Sequence, residues 1–391
     1  MGRIHPYKKQ GAVGRLSYAY GNKYFTDASF GITGSENFAP ENRYGFFPAF
    51  GLGYLLTNEY KIGDLIQSVG IQTLKLRVSY GRTGNDQVSN TRFPYKENLN
   101  WTGTTLNLGI TSSGGTNSSG NLIFEKQAFN PNIRWEIEEK RNVGIDITAW
   151  RNALSFTVDY FDNLRHDILL QRTTVGQAAG LQQNPFENFG KVSNKGIDAS
   201  LNFNKKINDF GIGATGTFTF ARNKIIEMDE IPRAEWYQNS TGTRLGMVDG
   251  WVAERLYTND DFDIVTNAVT GVKTYSLKAG LPVSRLGNVY PGNIKYADLN
   301  GDGLINEFDW TKHVAGAKPS NPEIIYGFGV NADYKGFYAS AFFQGVANAT
   351  AYLDPSFMIP FAGADPLTTS TKGFSLDRWT EENPNPNALL P

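Results

Sequence analysis

Apolar and polar residues alternate along most of this chain. In "TLKLRVSY", Leu74, Leu76, Val78 and Tyr80 share one face, and Lys75, Arg77 and Ser79 share the other. A period of two is the signature of a strand with one apolar face. The alternation recurs. Leu16, Tyr18 and Tyr20 oppose Arg15 and Ser17. Leu154, Phe156, Val158 and Tyr160 oppose Ser155, Thr157 and Asp159. Ile197, Ala199, Leu201 and Phe203 oppose Asp198, Ser200 and Asn202. Tyr326, Phe328, Val330 and Tyr334 oppose Asn331 and Asp333. The pattern predicts strands near 12–20, 23–33, 44–56, 71–81, 140–150, 153–162, 191–204, 210–222, 323–334 and 336–346. At about 9–13 residues each, they reach the length that a tilted strand needs to cross a bilayer.

The connections are sorted by length. Those at 20–24, 150–154, 205–209 and 334–337 are tight. Those at 82–139, 163–190 and 223–322 are long, with 57–70 in between. A chain that turns sharply at one end of each strand and wanders at the other describes an antiparallel up-and-down transmembrane β-barrel with two unlike rims. Aromatic residues near the strand ends (Tyr18, Tyr20, Tyr24, Phe25, Tyr80, Trp150, Tyr160 and Phe161) would form its interfacial girdles. The all-β rival is a soluble secreted protein that binds glycans through its loops. A soluble sandwich packs two apolar faces together, whereas a barrel leaves its outer face to lipid.

Composition narrows the function. The formal net charge of -1 over 391 residues argues against nucleic acid, which favours a basic face. No cysteine is present, which excludes disulfides and thiolate metal sites. The opening "MGRIHPYKKQ" has no apolar h-region behind it, and no long apolar run suggests a membrane helix. The histidines His5, His166 and His313 are scattered and read as loop residues. Glu136, Glu138 and Glu139 in "WEIEEK" read as a solvated strand edge rather than a paired-carboxylate site. Asp146, Asp159, Asp198 and Asp333 read as acids of a polar lumen. No residues are assembled for catalysis, so no enzyme is expected.

One stretch stands apart. "YADLNGDGLINEFDW" places Asp298, Asn300, Asp302, Leu304, Asn306 and Asp309 at positions 1, 3, 5, 7, 9 and 12 of a calcium loop, with Gly303 at the sharp turn. Position 7 contributes its backbone carbonyl, and Ile305 would anchor the loop to packed structure. A shorter aspartate stands where an EF-hand has glutamate, which makes the loop of 291–312 similar to those of dockerin modules. A structural Ca²⁺ is expected there, pinning part of a long outer loop; without it the crowded carboxylates would repel. Trp101, Trp236, Tyr237 and Trp251 lie on long loops. They are candidates for stacking on a sugar, with loop packing as the plainer alternative.

The segments "RYGFFPAFGLGY" (43–54), "LKLRVSYGRTGN" (74–85), "NPNIRWE" (130–136), "NFGKVSNKGID" (188–198), "PGNIKYADLNGDGLIN" (291–306), "YGFGVNADYKGFYASAFFQG" (326–345) and "RWTEENPN" (378–385) give the chain its resemblance. It resembles the SusC/RagA family of TonB-dependent outer-membrane transporters, over nearly its whole length. That resemblance implies import of a large nutrient, an oligosaccharide or a peptide. It also implies a SusD-like surface lipoprotein as partner and energy from the TonB complex through a plug region. A signal peptide, plug, TonB box and C-terminal strands are implied but not seen. Plugged transporters have about 22 strands, so residues 1–391 read as an internal barrel fragment placed in the outer membrane.

Overall fold

The computed structural model describes residues 8–87, 93–96, 98–100, 105–110, 116–121, 124–176, 178, 183–314, 316–351 and 373–391. The chain divides into two compact units, Met1–Ile231 with Glu323–Ala347, and Pro232–Pro322 with Asn348–Pro391.

The first unit is built on ten strands: β1 (Lys9–Tyr20), β2 (Tyr24–Ser35), β3 (Tyr44–Leu55), β4 (Ile71–Asn85), β5 (Glu136–Ala149), β6 (Leu154–Gln171), β7 (Phe186–Ile207), β8 (Phe210–Glu227), β9 (Ile324–Tyr334) and β10 (Phe337–Ala347). They form one ten-stranded sheet in sequence order, every neighbour antiparallel. This is the meander that the alternation and the tight turns predict.

Register carries the apolar face from strand to strand. Leu52 lies opposite Val78, Val78 opposite Val143 and Val143 opposite Tyr160; Tyr160 in turn faces Ile197. Farther along, Phe218 pairs with Tyr326, and Phe328 with Phe343. Among the described residues this face is left uncovered: Leu52, Val78, Val143 and Phe328 are 51% to 61% exposed. The exposure rules out a sandwich, in which such residues would be packed against a second sheet. Six uncharged residues of β8, from Phe210 to Phe220, lie on it before Arg222. Their ten residue steps cover about 33 Å of strand, or about 25 Å after a tilt of about 40°, the height of an outer-membrane apolar band.

Tyr20, Tyr24, Tyr54 and Trp150 mark the short-turn end of the apolar face, and Tyr80, Tyr160 and Phe220 the other. Immediately beyond the second group the same face becomes charged. Arg82 pairs with Glu139 (2.6 Å), Lys195 with Asp162 (2.8 Å) and Arg222 with Glu323 (2.9 Å). Two of the expected girdle residues belong elsewhere. Phe25 pairs with Ala19 and Gly53, and Phe161 with Asn142 and Gly196, so strand parity puts both on the polar face. Phe25 there lies under the Lys75 ammonium, 4.9 Å from its ring centre.

The strands outrun their predicted ends on the long-loop side. β4 continues to Asn85, β6 to Gln171 and β8 to Glu227, while β5 starts at Glu136 and β7 at Phe186. Past the apolar band both faces meet polar surroundings, so the ladder continues without the alternation that marks it in sequence. The β3–β4 pairing stops at Ala49–Gly81, whereas β4–β5 pairing runs to Asn85–Glu136. A buried cluster of Phe38, Ile133, Trp135 and Leu169 packs in this rim region, with Phe47, Ile137 and Phe186 against it. Trp135 lies 5.2 Å from both the Phe38 and Phe47 rings, and its indole N–H donates to the Arg43 carbonyl (3.1 Å). Gly84 is required beneath it, because a Cβ there would come within 2.2 Å of Phe47 and 2.9 Å of Trp135.

The connection of intermediate length, 57–70, contains a short helix that the sequence pattern does not announce, α1 (Ile62–Ser68).

The second unit holds only short pieces of sheet among its described residues. Residues 253–256 pair with 294–296, 262–266 with 273–277, and 283–284 with 304–305. Its buried residues include Leu256, Tyr257, Phe262 and Ile305. Asp261 takes both ends of the Arg255 guanidinium (2.7 Å each) and caps the turn at Thr258. The Arg255 pairing, followed by the Thr258 amide, holds the Asp261 carboxyl down at about 2 despite its burial.

Candidate functional site

The polar face of the sheet is a wall of charged and small side chains. Arg77 of β4 reaches both Asp146 of β5 (2.6 Å) and Asp159 of β6 (3.0 Å), which also stand near one another across the ladder. The space for that clasp is left by Gly144: a Cβ there would collide with Asp159 and the guanidinium. Asp198 of β7 lies directly opposite Asp159 and is exposed. On β1 and β2, Arg15 pairs with Asp27 (2.8 Å). Polar residues at every second position, joined across strands, make this face a continuous polar surface. They do not gather an acid and a base around a reacting centre.

The expected solvated edge at "WEIEEK" is different in the structure. Glu136 is buried. It pairs with Arg165, accepts the Leu169 amide (3.2 Å) and accepts the Asn85 side chain (3.0 Å). The strand is internal to the sheet, so this carboxylate ties β4, β5 and β6 together. His166 lies within β6 rather than in a loop, with Nδ1 2.9 Å from Asp167. His5 lies outside the described residues. A further clamp, absent from the sequence reading, is Asp229. Buried, it takes the amides of Thr173 and Thr174 and the Thr174 hydroxyl (2.9 Å). Burial alone would raise its pKa, but those amides and hydroxyl outweigh it and bring it to about 2.

In the second unit the acidic loop is tightly organised. Asp298 Oδ1 accepts the amides of Gly301 (2.8 Å) and Asp302 (3.2 Å), and Oδ2 accepts that of Gly303 (2.8 Å). Asp302 Oδ1 accepts the Leu304 amide (2.8 Å), and its Oδ2 accepts the Asn300 side-chain amide (2.9 Å). Gly301 and Gly303 both have positive φ, 73° and 80°, as the sharp turn requires. Ile305 is buried and pairs with Ser284, the anchoring that the sequence suggests.

Asp309 and Asn306 are less open than a ligand set implies. Asp309 is fully buried and accepts the amides of Leu299 (2.8 Å) and Asn306 (2.9 Å); Asn306 caps the turn at Phe308 (2.7 Å). Backbone amides thus already balance much of the carboxylate charge that was expected to repel. Asp298 Oδ1 already accepts two amides, whereas Asp298 Oδ2 and both Asp309 oxygens accept one each and keep a second lone pair. Among the described residues, no three acidic or histidine side chains gather closely enough to form a metal cluster by themselves.

The four aromatic candidates do not make one platform. Tyr237 is buried, and its hydroxyl donates to the Phe308 carbonyl (3.0 Å). Burial, then the nearby carboxylates of Glu235, Asp309, Asp298 and Asp302, push its pKa up. Trp251 is half-buried, edge-on to Trp310 at 4.4 Å, with its N–H on the Asn306 carbonyl (2.8 Å). Both rings therefore pack against the acidic loop. Trp236, 70% exposed, presents its ring, 5.1 Å from that of His313. Trp101 lies outside the described residues.

Comparison with known proteins agrees with this architecture. Residues 13–376 match the family model described as TonB dependent receptor-like, beta-barrel. A TonB-dependent receptor of Formosa agariphila is 28% identical, over 95% of this chain and 34% of its own length. The TonB-dependent receptor SusC of Bacteroides thetaiotaomicron is 24% identical, over 87% of this chain and 31% of its own. Among solved structures, the RagAB peptide importer in its open-open state superposes with a TM-score of 0.69 at 20% identity, covering all of this chain and 38% of that one. The chain thus spans about a third of the length of the curated relatives it matches.

Proposed function

This chain belongs to the TonB dependent receptor-like β-barrel family, and on that premise we propose that it forms part of the wall of an importer for large nutrients. Proteins of this family reside in the outer membrane, and the uncovered apolar face of the ten-stranded sheet is its surface toward lipid. The observation that carries the import reading is the other face. Its cross-strand polar pairs, led by Arg77 with Asp146 and Asp159, line the interior that a solute must cross. The substrate class is an oligosaccharide or a peptide. The resemblance to SusC and to the RagAB peptide importer supports that range, a SusD-like lipoprotein partner and TonB as the energy source. Deleting the full-length gene should abolish accumulation of fluorescent oligopeptides or oligosaccharides in the periplasm, and a protonophore should do the same in the parent strain. Equal uptake of both probe sets with and without the gene would overturn the reading.

The acidic loop is proposed to bind Ca²⁺ as a structural ion. Asp298, Asn300 and Asp302 would supply side-chain oxygens, and Leu304 its carbonyl. The carbonyls of Gly303 and Ile305 accept the Val283 and Arg285 amides (2.9 and 2.8 Å). Alternation along the strand turns the Leu304 carbonyl away from residues 283–285 and leaves it out of that pairing. Asn306 and Asp309 would contribute through lone pairs left over from their backbone bonds. The expected result is faster limited proteolysis within 223–322 of the full-length transporter when a chelator is present, with Asp302→Ala behaving like chelated wild type. Identical digestion with and without chelator would reduce the motif to a turn.

A further inference from the structure

We propose that α1 is an interfacial helix whose apolar side lies in the lipid leaflet at the short-turn rim, extending the apolar surface of the sheet. At 3.6 residues per turn, Ile62, Leu65, Ile66 and the following Val69 fall within about 100° of arc. Ile62, Leu65 and Val69 are 50%, 69% and 66% exposed. A second side of the helix is packed: Gly63 sits so close to the Thr57 carbonyl that a Cβ would approach it to 2.4 Å, and Gln67 donates to the same carbonyl (3.0 Å). The remaining side carries Asp64 and Ser68, both exposed. Apolar, packed and polar sides around one short helix are what a segment lying in a membrane interface requires.

The direction of the apolar side follows from what holds the segment. At its start, Glu59 is gripped by the Tyr54 hydroxyl (3.0 Å) and the Lys23 ammonium (3.2 Å). Tyr54 lies opposite Tyr24 and stacks on it at 5.1 Å, on the apolar face of the sheet. At its end, the Gly70 carbonyl accepts the Trp150 amide (2.8 Å), and Trp150 in turn meets Phe203 of the same face. Both anchors are aromatic residues at the lipid boundary, so the segment runs along that boundary. β4, which follows directly, carries the same face on: Ile71 lies opposite Ala149, Leu74 opposite Ile147, Leu76 opposite Ile145 and Val78 opposite Val143, so the helix leads straight into the apolar surface of the sheet. The occupant is therefore the acyl and headgroup boundary of the leaflet at the short-turn rim, which faces the periplasm in outer-membrane barrels.

The test uses the full-length transporter reconstituted in phosphatidylethanolamine–phosphatidylglycerol vesicles, carrying single nitroxide-labelled cysteines at positions 62, 64, 65, 68, 69 and 78. Collision with oxygen reports lipid, and collision with a water-soluble nickel chelate reports solvent. The expected result is a several-fold higher oxygen-to-nickel ratio at 62, 65 and 69 than at 64 and 68, approaching that at 78. Nickel-dominated collision at 65 would place the helix in water, and exclusion of both reagents would place it under protein. Either outcome, with position 78 still oxygen-rich, overturns this inference while leaving the barrel reading intact. Replacement of Leu65 by serine is mild at an exposed position, so assembly of the variant is a check that the scan reports on a native fold.

Discussion

Replacing Trp135 with alanine is expected to destabilise the full-length transporter by about 3–5 kcal/mol, the usual cost of removing a buried tryptophan. The indole is 6% exposed and sits between Phe38 and Phe47 over Gly84, in the rim region where β3 and β4 have ceased to pair. No ladder bonds between those two strands can compensate there, so side-chain packing carries the junction. The Arg43 carbonyl also loses its indole donor. Trp135→Phe separates the two contributions: it retains most of the aromatic packing and loses the hydrogen bond, so a cost nearer about 1 kcal/mol is expected. Urea titration of the purified protein in detergent, following loss of heat-modifiable mobility on gels, reads both values. An alanine variant as resistant as wild type would mean that the rim is held elsewhere.

The strands were legible because lipid and lumen impose a period of two on every segment between them. Each predicted strand lies within or overlaps an observed one, and neighbours in sequence are neighbours in the sheet. Legibility stopped where that constraint stops. Residues 163–171 of β6, "NLRHDILLQ", do not alternate, yet they form ladder with β7 through a bulge beyond Arg165. Glu136 looked like a surface acid because nothing local distinguishes a carboxylate that will meet Arg165 and Asn85 from one that will meet water; its partners come from separate strands. Phe25 and Phe161 were misplaced for a simpler reason. Nearness to a strand end does not fix which face a ring takes; parity does.

The candidate loop was partly legible. Its spacing and the need for glycine at position 303 could be read directly, and Ile305 does anchor it. The burial of Asp309, and the capping role of Asn306, depend on a short turn, Glu307–Asp309, that the spacing rule does not specify. Tyr237 and Trp251 follow the plainer reading, loop packing, but their partners, Phe308 and Trp310, are distant in sequence and could not be named from it.

The central claim is that one face of the sheet meets lipid and the other a polar interior, and adjacent residues of β4 test it most directly. Val78 lies between Leu52 and Val143 on the apolar face, and Ser79 between Gly51 and Asn142 on the polar face. An arginine facing lipid near the bilayer midplane costs about 2–4 kcal/mol, whereas one facing a lumen is accommodated. Gly51, opposite Ser79, has no side chain, and a Cβ built on it would meet Asp27 Cβ only at 3.9 Å, so there is room on that side. The measurement is the fraction of full-length protein that reaches the outer membrane in a heat-modifiable, protease-resistant form, for Val78→Arg and Ser79→Arg made separately. The account predicts a large loss for Val78→Arg and a wild-type level for Ser79→Arg. Equal assembly of the two variants, or the reverse order, would contradict it.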